Sequence, residues 1–195
     1  VWRVLCDAFF GPLIGPGKDI IDLGCGYGEF INNISARSKT AIDMNMDVTA
    51  HLAPDVRFIK CDAGHLDQLP DASADVVFTS NFLEHLANKE ACDKVIADVR
   101  RILRVGGRFI VLGPNIRYAY KEYWDRYDHL LALSHLSLEE GLLQGGFKVV
   151  RNIGRFLPLT MQSRLPTFPF LIRLYVNLPI VWPLFAKQFL VIAQK

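Results

Sequence analysis

Asp22-Leu23-Gly24-Cys25-Gly26-Tyr27-Gly28 sets glycines at alternate positions directly after a short apolar run, with an acid ahead of them. Glycine at such a point lets a chain leaving a strand turn tightly and come close to a ligand. Asp43 follows nineteen residues after Gly24, at the end of a second apolar run. There a carboxylate can accept the hydrogens of both ribose hydroxyls. Together these residues point to a cofactor that carries an adenosine. A dinucleotide fingerprint requires a further glycine where this chain has Glu29, and it seats a pyrophosphate on the helix N-terminus that follows. Glu29 would repel that phosphate. A phosphate-free cofactor carrying a sulfonium cation avoids the conflict, and Asp22 suits its charge.

The elements that must position these residues read as alternating strands and helices. Residues 2–10 predict a short amphipathic helix, which Gly11, Pro12, Gly15, Pro16 and Gly17 break. Strands are expected at residues 19–23, 40–43, 56–60, 75–79, 108–112, 147–150 and 189–193. Helices are expected over residues 29–37, 89–103 and 137–144, the last with Ser137 as N-cap and Gly145-Gly146 as terminator. Such alternation predicts an α/β, mostly parallel, doubly wound sheet, whose ligands sit at the carboxyl ends of strands where the strand order reverses. The site should lie after the first strand.

On these motifs the sequence resembles the class I S-adenosylmethionine-dependent methyltransferases, whose first motif, an acid followed by GxGxG, appears as Asp22 to Gly28. Leu66 to Leu86 and Ile102 to Arg108 resemble later motifs, so the likeness covers about residues 17–113. Residues 114–195 resemble, less specifically, bacterial members found with cell-surface polysaccharide synthesis. The resemblance implies a Rossmann-like seven-stranded sheet with helices on both faces and the last strand antiparallel, and S-adenosyl-L-methionine as cofactor. It places Asp43 on the ribose hydroxyls, Asp62 and the Ala63 backbone on the adenine amino group, and Ser80-Asn81 beside the methionine part. Asp22, Gly24, Cys25, Gly26, Gly28 and Met44 complete the implied cofactor set. It further implies one methyltransferase domain: a cofactor-binding half to about residue 113, acceptor-side elements and an apolar insertion to 186, and the last strand over 187–195.

Methyl transfer from a sulfonium is an in-line displacement that alignment alone can accelerate, so a base helps only some acceptors. A hydroxyl acceptor is one of them. Of the five histidines, His51 and His65 fall in polar connections and are expected to be solvated. His85 follows the fourth strand beside Glu84 and close to Asn81, which makes it a candidate base. His129 and His135 are alternatives, although Ser134, His135 and Ser137 could equally cap a helix. Glu84-His85 also resembles the ExxEH metal site of small-RNA 2′-O-methyltransferases. Asn81 stands in place of that pattern's first glutamate, so no metal is expected. The segment Tyr118, Tyr120, Tyr123, Trp124, Tyr127 is expected to serve either as a stacking surface for a sugar acceptor or as a lid packed on the sheet.

Hydrophobic residues make up 51% and charged residues 22% of the 195-residue chain, a folding composition, and a net charge of +2 gives no field for nucleic acid. Four scattered cysteines suggest neither a zinc knuckle nor a disulfide framework. With no signal-peptide pattern over residues 1–20, a cytoplasmic location is expected. Residues 165–186 carry four prolines and Arg173 as the one charge. That apolar stretch has three uses open to it: cover for the sheet, a homodimer interface, or contact with the inner face of a membrane. The expected function is O-methylation of a glycan, a lipid-linked sugar or another small molecule. A nicotinamide oxidoreductase and a non-catalytic scaffold binding the same cofactor are the alternatives.

Overall fold

The structure is a computed structural model that describes residues 1–62, 65–159 and 168–195. Strands β1 (Asp19–Leu23), β2 (Ser38–Asp43), β3 (Val56–Lys60), β4 (Ala74–Ser80), β5 (Leu103–Pro114), β6 (Lys148–Leu157) and β7 (Gln188–Gln194) form one seven-stranded sheet. Their order is β3-β2-β1-β4-β5-β7-β6. Pairing is parallel from β3 through β5, and β7 runs antiparallel to both of its neighbours. After β1 the chain moves outward to β2 and β3, then returns to β4 on the other side of β1. The switch point therefore lies between β1 and β4, at the carboxyl end of the glycine-loop strand.

Alternation along the central strands feeds two apolar cores. Ile21, Val77, Phe109 and Val111 point to one face, where the helices Lys89–Ile102 and His135–Gln144 cover them. Ile20, Val76, Phe78 and Ile110 point to the other, beneath Phe10, Phe30 and Trp182. This is the three-layer arrangement of a Rossmann-like fold, as the strand and helix alternation predicted.

Three local expectations need correction. Residues 29–34 form turns rather than the start of a helix. Their backbone bonds mix two spacings, with Asn32 and Ile34 reaching four residues back and Asn33 only three. The Asn33 side chain donates to the Glu29 carbonyl and that of Asn32 to the His51 carbonyl, local competition that disfavours a regular helix. Gly11 and Pro12 do not break the first helix. A π-helical turn over Cys6–Phe10 widens the coil ahead of Pro12, and Gly11–Ile14 continues as α-helix until Gly15 at φ +82°. The helix expected to begin after Ser137 is capped by Ser134, with the Ser137 hydroxyl returning the bond to the Ser134 N–H in a capping box.

The apolar stretch before β7 divides between two roles. Within it, Pro169–Asn177 is a helix, followed by turns over Pro179–Val181 and Trp182–Phe185. Val176, Trp182 and Ala186 are buried in the second core, and the Trp182 indole N–H donates to the Tyr175 carbonyl. Phe168, Phe170, Leu174, Ile180 and Leu184 point outward. No helix among the described residues is long and apolar enough to cross a membrane. Trp182→Ala should therefore cost about 3–5 kcal/mol and lower the melting temperature by roughly 10 °C. Ile180→Ser, at a side chain 84% exposed, should leave it nearly unchanged. Calorimetric melting of the two variants checks this, and equal shifts would contradict the burial pattern.

Candidate active site

The turn after β1 is held from two sides. Gly24 and Cys25 donate backbone N–H groups to the Ile42 carbonyl of β2, and the Thr79 hydroxyl of β4 donates to the Leu23 carbonyl. Gly24 adopts φ +67°, and a Cβ there would stand 2.6 Å from the Phe82 ring. Neither the conformation nor the contact admits a side chain. Gly28, at φ +74°, faces Leu52 and Asn32 instead; it lets the loop pack and lines no cavity described below.

Asp43 completes the loop's geometry. Its Oδ2 accepts the Gly26 N–H at 3.0 Å and its Oδ1 accepts the Asn45 N–H at 2.9 Å. Each oxygen keeps a second lone pair, so the carboxylate is fixed in orientation and still able to accept two ribose hydroxyls. A cleft of about 600 Å³ opens beside it, lined by Gly24, Gly26, Asp43, Met44, Asp62 and Asn81 among others. Asn45, Phe82, Leu86 and Ala91 also line it, and sequence reasoning missed all four. Asn45 carried a signal, since it caps the turn Met46–His51 through its side chain; Phe82 carried none. Ala63, assigned to the adenine, lies outside the described residues.

A smaller cavity of about 250 Å³ adjoins the loop, bordered by Asp22, Cys25, Gly26, Glu29, Ser80 and Asn81. Glu29 thus puts a carboxylate on the space beside the glycine loop. The absence of a regular helix over 29–34 also removes the dipole that would hold the phosphates of a dinucleotide. Asp22 is buried, which pushes its carboxyl up to about 8, with the negative charges of Glu29 and Asp43 adding to the rise. At neutral pH it therefore holds a proton.

A ligand carrying an ammonium or sulfonium in this cavity favours the ionised acid, so binding must expel that proton. Affinity for S-adenosylmethionine should rise as pH rises, by up to about tenfold per unit below pH 8, and then level off. Stability of the free protein runs the other way. The folded-state pKa lies above the unfolded one, so this group's contribution falls as pH climbs from about 4 to 8. Titration calorimetry for affinity and thermal melting for stability, on the parent and Asp22→Asn between pH 6 and 8, test the two signs, because the variant should lack this group's part of both dependences.

A third cavity of about 430 Å³ lies on the far side of Asn81 and His85, bordered by Glu84, Glu122, Asp125, Arg126, Asp128 and His129. The expected aromatic stacking surface is not its lining. Tyr120, Trp124 and Tyr127 face outward, while Tyr123 is buried with its hydroxyl donating to the Leu131 carbonyl. The wall combines carboxylates, an arginine and two imidazoles with Asn81, Pro114 and Leu159.

The structure separates the three candidate histidines. His85 Nδ1 lies 2.9 Å from the Asp128 carbonyl oxygen. A carbonyl can only accept, so Nδ1 carries the hydrogen and Nε2 is the basic nitrogen. His129 packs edge-on against His85 and Tyr123, its centroid 5.3 Å and 4.7 Å from theirs, and burial followed by the neighbouring His85 lowers its pKa. His135 borders neither the cofactor cleft nor this cavity. Its Nδ1 meets the Asn115 amide at 2.9 Å, and its ring fills the space a side chain at Gly154 would need.

Residues 21–111 match the methyltransferase domain family. The chain has the fold of S-adenosylmethionine-dependent methyltransferases. A protein of Mycolicibacterium smegmatis named "Probable S-adenosylmethionine-dependent methyltransferase" is 31% identical over 147 residues, which cover 72% of this chain and 56% of the relative. The eEF1A lysine and N-terminal methyltransferase of Homo sapiens is 25% identical over 85% of this chain and 24% of its own length. The chain thus spans about half, or less, of the curated relatives it matches. Among solved structures, a SAM-dependent methyltransferase from Archaeoglobus fulgidus superposes with a TM-score of 0.72 at 20% identity, covering 99% of this chain and 92% of that one.

Proposed function

We propose that the chain transfers a methyl group from S-adenosylmethionine to a hydroxyl oxygen of a glycan or lipid-linked sugar. One observation carries this reading: Asn81, held at φ +51° at the end of β4, borders all three cavities. Cofactor space and acceptor space therefore meet at one side chain. The cofactor, when bound, supplies a methyl carbon on a positively charged sulfur. Transfer would form the oxygen–carbon bond as the carbon–sulfur bond gave its electron pair to sulfur, and the hydroxyl proton would have to leave. The Glu84, His85 and His129 group stands on the acceptor side to take it. Glu122, Asp125 and Asp128 offer acceptors, and Arg126 donors, for the remaining hydroxyls of a sugar.

The apolar stretch supports a lipid-linked form of the acceptor. Leu159, just ahead of it, lines the third cavity, and Lys187, just after it, pairs with the cavity residue Glu122. The outward Phe168, Phe170 and Leu184 thus fall in the sequence between two residues, Leu159 and Lys187, that reach the acceptor site. A cationic amine is the second reading, favoured by the same three carboxylates.

Transfer of labelled methyl to a panel of free glycans, lipid-linked sugars and amines tests the proposal. Incorporation into a hydroxylated acceptor supports it. Incorporation into amines alone would replace it, and tight S-adenosylhomocysteine binding with no transfer to any acceptor would leave the scaffold reading. Binding of NAD instead would favour the oxidoreductase, against the position of Glu29.

A further inference from the structure

The geometry points to a divalent transition-metal site formed by Glu84, His85 and His129 on the wall of the acceptor cavity. A carboxylate oxygen and one ring nitrogen from each histidine lie within 4.8 Å of one another. Ligands bound at 2.0–2.1 Å in a tetrahedral set stand about 3.4 Å apart. Modest side-chain rotations would therefore close these three donors around one cation.

The backbone that carries them is already locked. The Glu84 carbonyl accepts the N–H groups of both Leu130 and Leu131, at 2.8 and 2.9 Å. His85 Nδ1 donates to the Asp128 carbonyl, the outer bond that orients a metal-binding imidazole and leaves Nε2 free. The turn after β4 and the loop ending at His129 are thus clamped together by three bonds, and the donors face a common space.

Two features of the cluster are costly without a cation. Glu84 is 3% exposed, and a buried carboxylate needs a positive partner or a proton. His129 Nδ1 is buried with no hydrogen-bond partner among the described residues. A dication bound through the Glu84 carboxylate and His129 Nδ1 would satisfy both groups. Two imidazoles with one carboxylate favour zinc, cobalt or iron over magnesium or calcium, which prefer all-oxygen sets. Three protein ligands leave at least one position open toward the cavity, where the cation would polarise an acceptor hydroxyl and ease loss of its proton. Asn81 alone had argued against a metal in the sequence. The third donor, His129, comes from a distant segment that a local motif does not contain.

The inference rests on reading this cavity as the acceptor side only for its catalytic use; the site itself does not depend on it. Cobalt titrated into the metal-free chain should give visible absorption saturating at about one equivalent, and zinc should compete for it. Glu84→Gln and His129→Ala should each weaken zinc binding at least about 100-fold by calorimetry. X-ray absorption of the zinc-loaded parent, which needs no variant, should show two imidazole ligands. No saturable binding, oxygen-only ligation, or affinity unchanged in both variants would overturn the site. Methyl transfer that survives chelation in a chain that binds no metal would overturn the site and leave the acceptor reading standing. Metal binding without transfer to any hydroxyl would do the reverse.

Discussion

Asp43→Ala should weaken S-adenosylhomocysteine binding by at least about 100-fold, since each hydrogen bond to a charged group contributes about 1.5–3 kcal/mol and the carboxylate offers two. The structure adds a second reason. Asp43 also accepts the N–H groups of Gly26 and Asn45, so its removal releases the glycine loop as well as the ribose contacts. Asp43→Asn separates these effects. Its amide keeps one oxygen acceptor but turns an NH₂ group toward the other backbone donor, so it should fall between parent and alanine. Calorimetry gives the affinities, and the melting temperature of each free variant shows whether the loop alone has failed. A folded alanine variant with parental affinity would remove Asp43 from the cofactor site.

Most of the sheet could be read from the sequence because its strands are short apolar runs bounded by glycine, proline and polar residues. Val56–Lys60 is found at its expected bounds, and β1 likewise. β5 and β6 run further than their apolar stretches. Arg104 at the start of β5 forms ion pairs with Asp19 and Asp75 across the sheet, and ion pairs between strands leave no periodic trace. The failure over residues 29–34 has the same origin. The Asn32 side chain is committed to the 51–53 segment, accepting from the Ala53 N–H and donating to the His51 carbonyl, a tertiary partnership that overrides local helical spacing.

Much of the first cleft's lining was legible for a related reason: it comes from successive strand ends, marked by the glycines after β1, Asp43 after β2 and Asp62 after β3. The acceptor side was not. Its cavity assembles Glu84 and His85 with residues from 122 to 129, and what decides its character is which side chains of that loop turn inward. Tyr123 turns inward because its hydroxyl finds the Leu131 carbonyl, while Trp124 and Tyr127 turn out. Composition left a stacking platform or a lid open, and packing puts neither tyrosine nor tryptophan on the cavity's described lining. The apolar stretch before β7 was ambiguous for a similar reason, since Trp182 and Ile180 are two residues apart and face opposite environments.

His85→Ala should lower turnover on a hydroxyl acceptor by about 10²–10⁴-fold, the range typical of a lost general acid or base, while S-adenosylhomocysteine affinity changes less than about tenfold. The split follows from position. His85 borders the cofactor cleft and the acceptor cavity together, but the ribose carboxylate and the glycine loop lie elsewhere and keep their bonds. Part of any loss could come from the released loop, because the Nδ1 bond to the Asp128 carbonyl is worth about 1 kcal/mol. His85→Asn addresses this, as its amide can still donate to that carbonyl while offering no basic nitrogen. It should restore the parental melting temperature without restoring turnover. Added imidazole should recover part of the activity of the alanine variant, whose cavity leaves room for the missing ring, and should do nothing for the parent. The loss is expected whether His85 takes the proton itself or holds a cation that acidifies the hydroxyl. Rescue by imidazole without added metal would favour the direct role. Parental turnover in a folded His85→Ala chain would move the proton to another group and detach the second cavity from the chemistry.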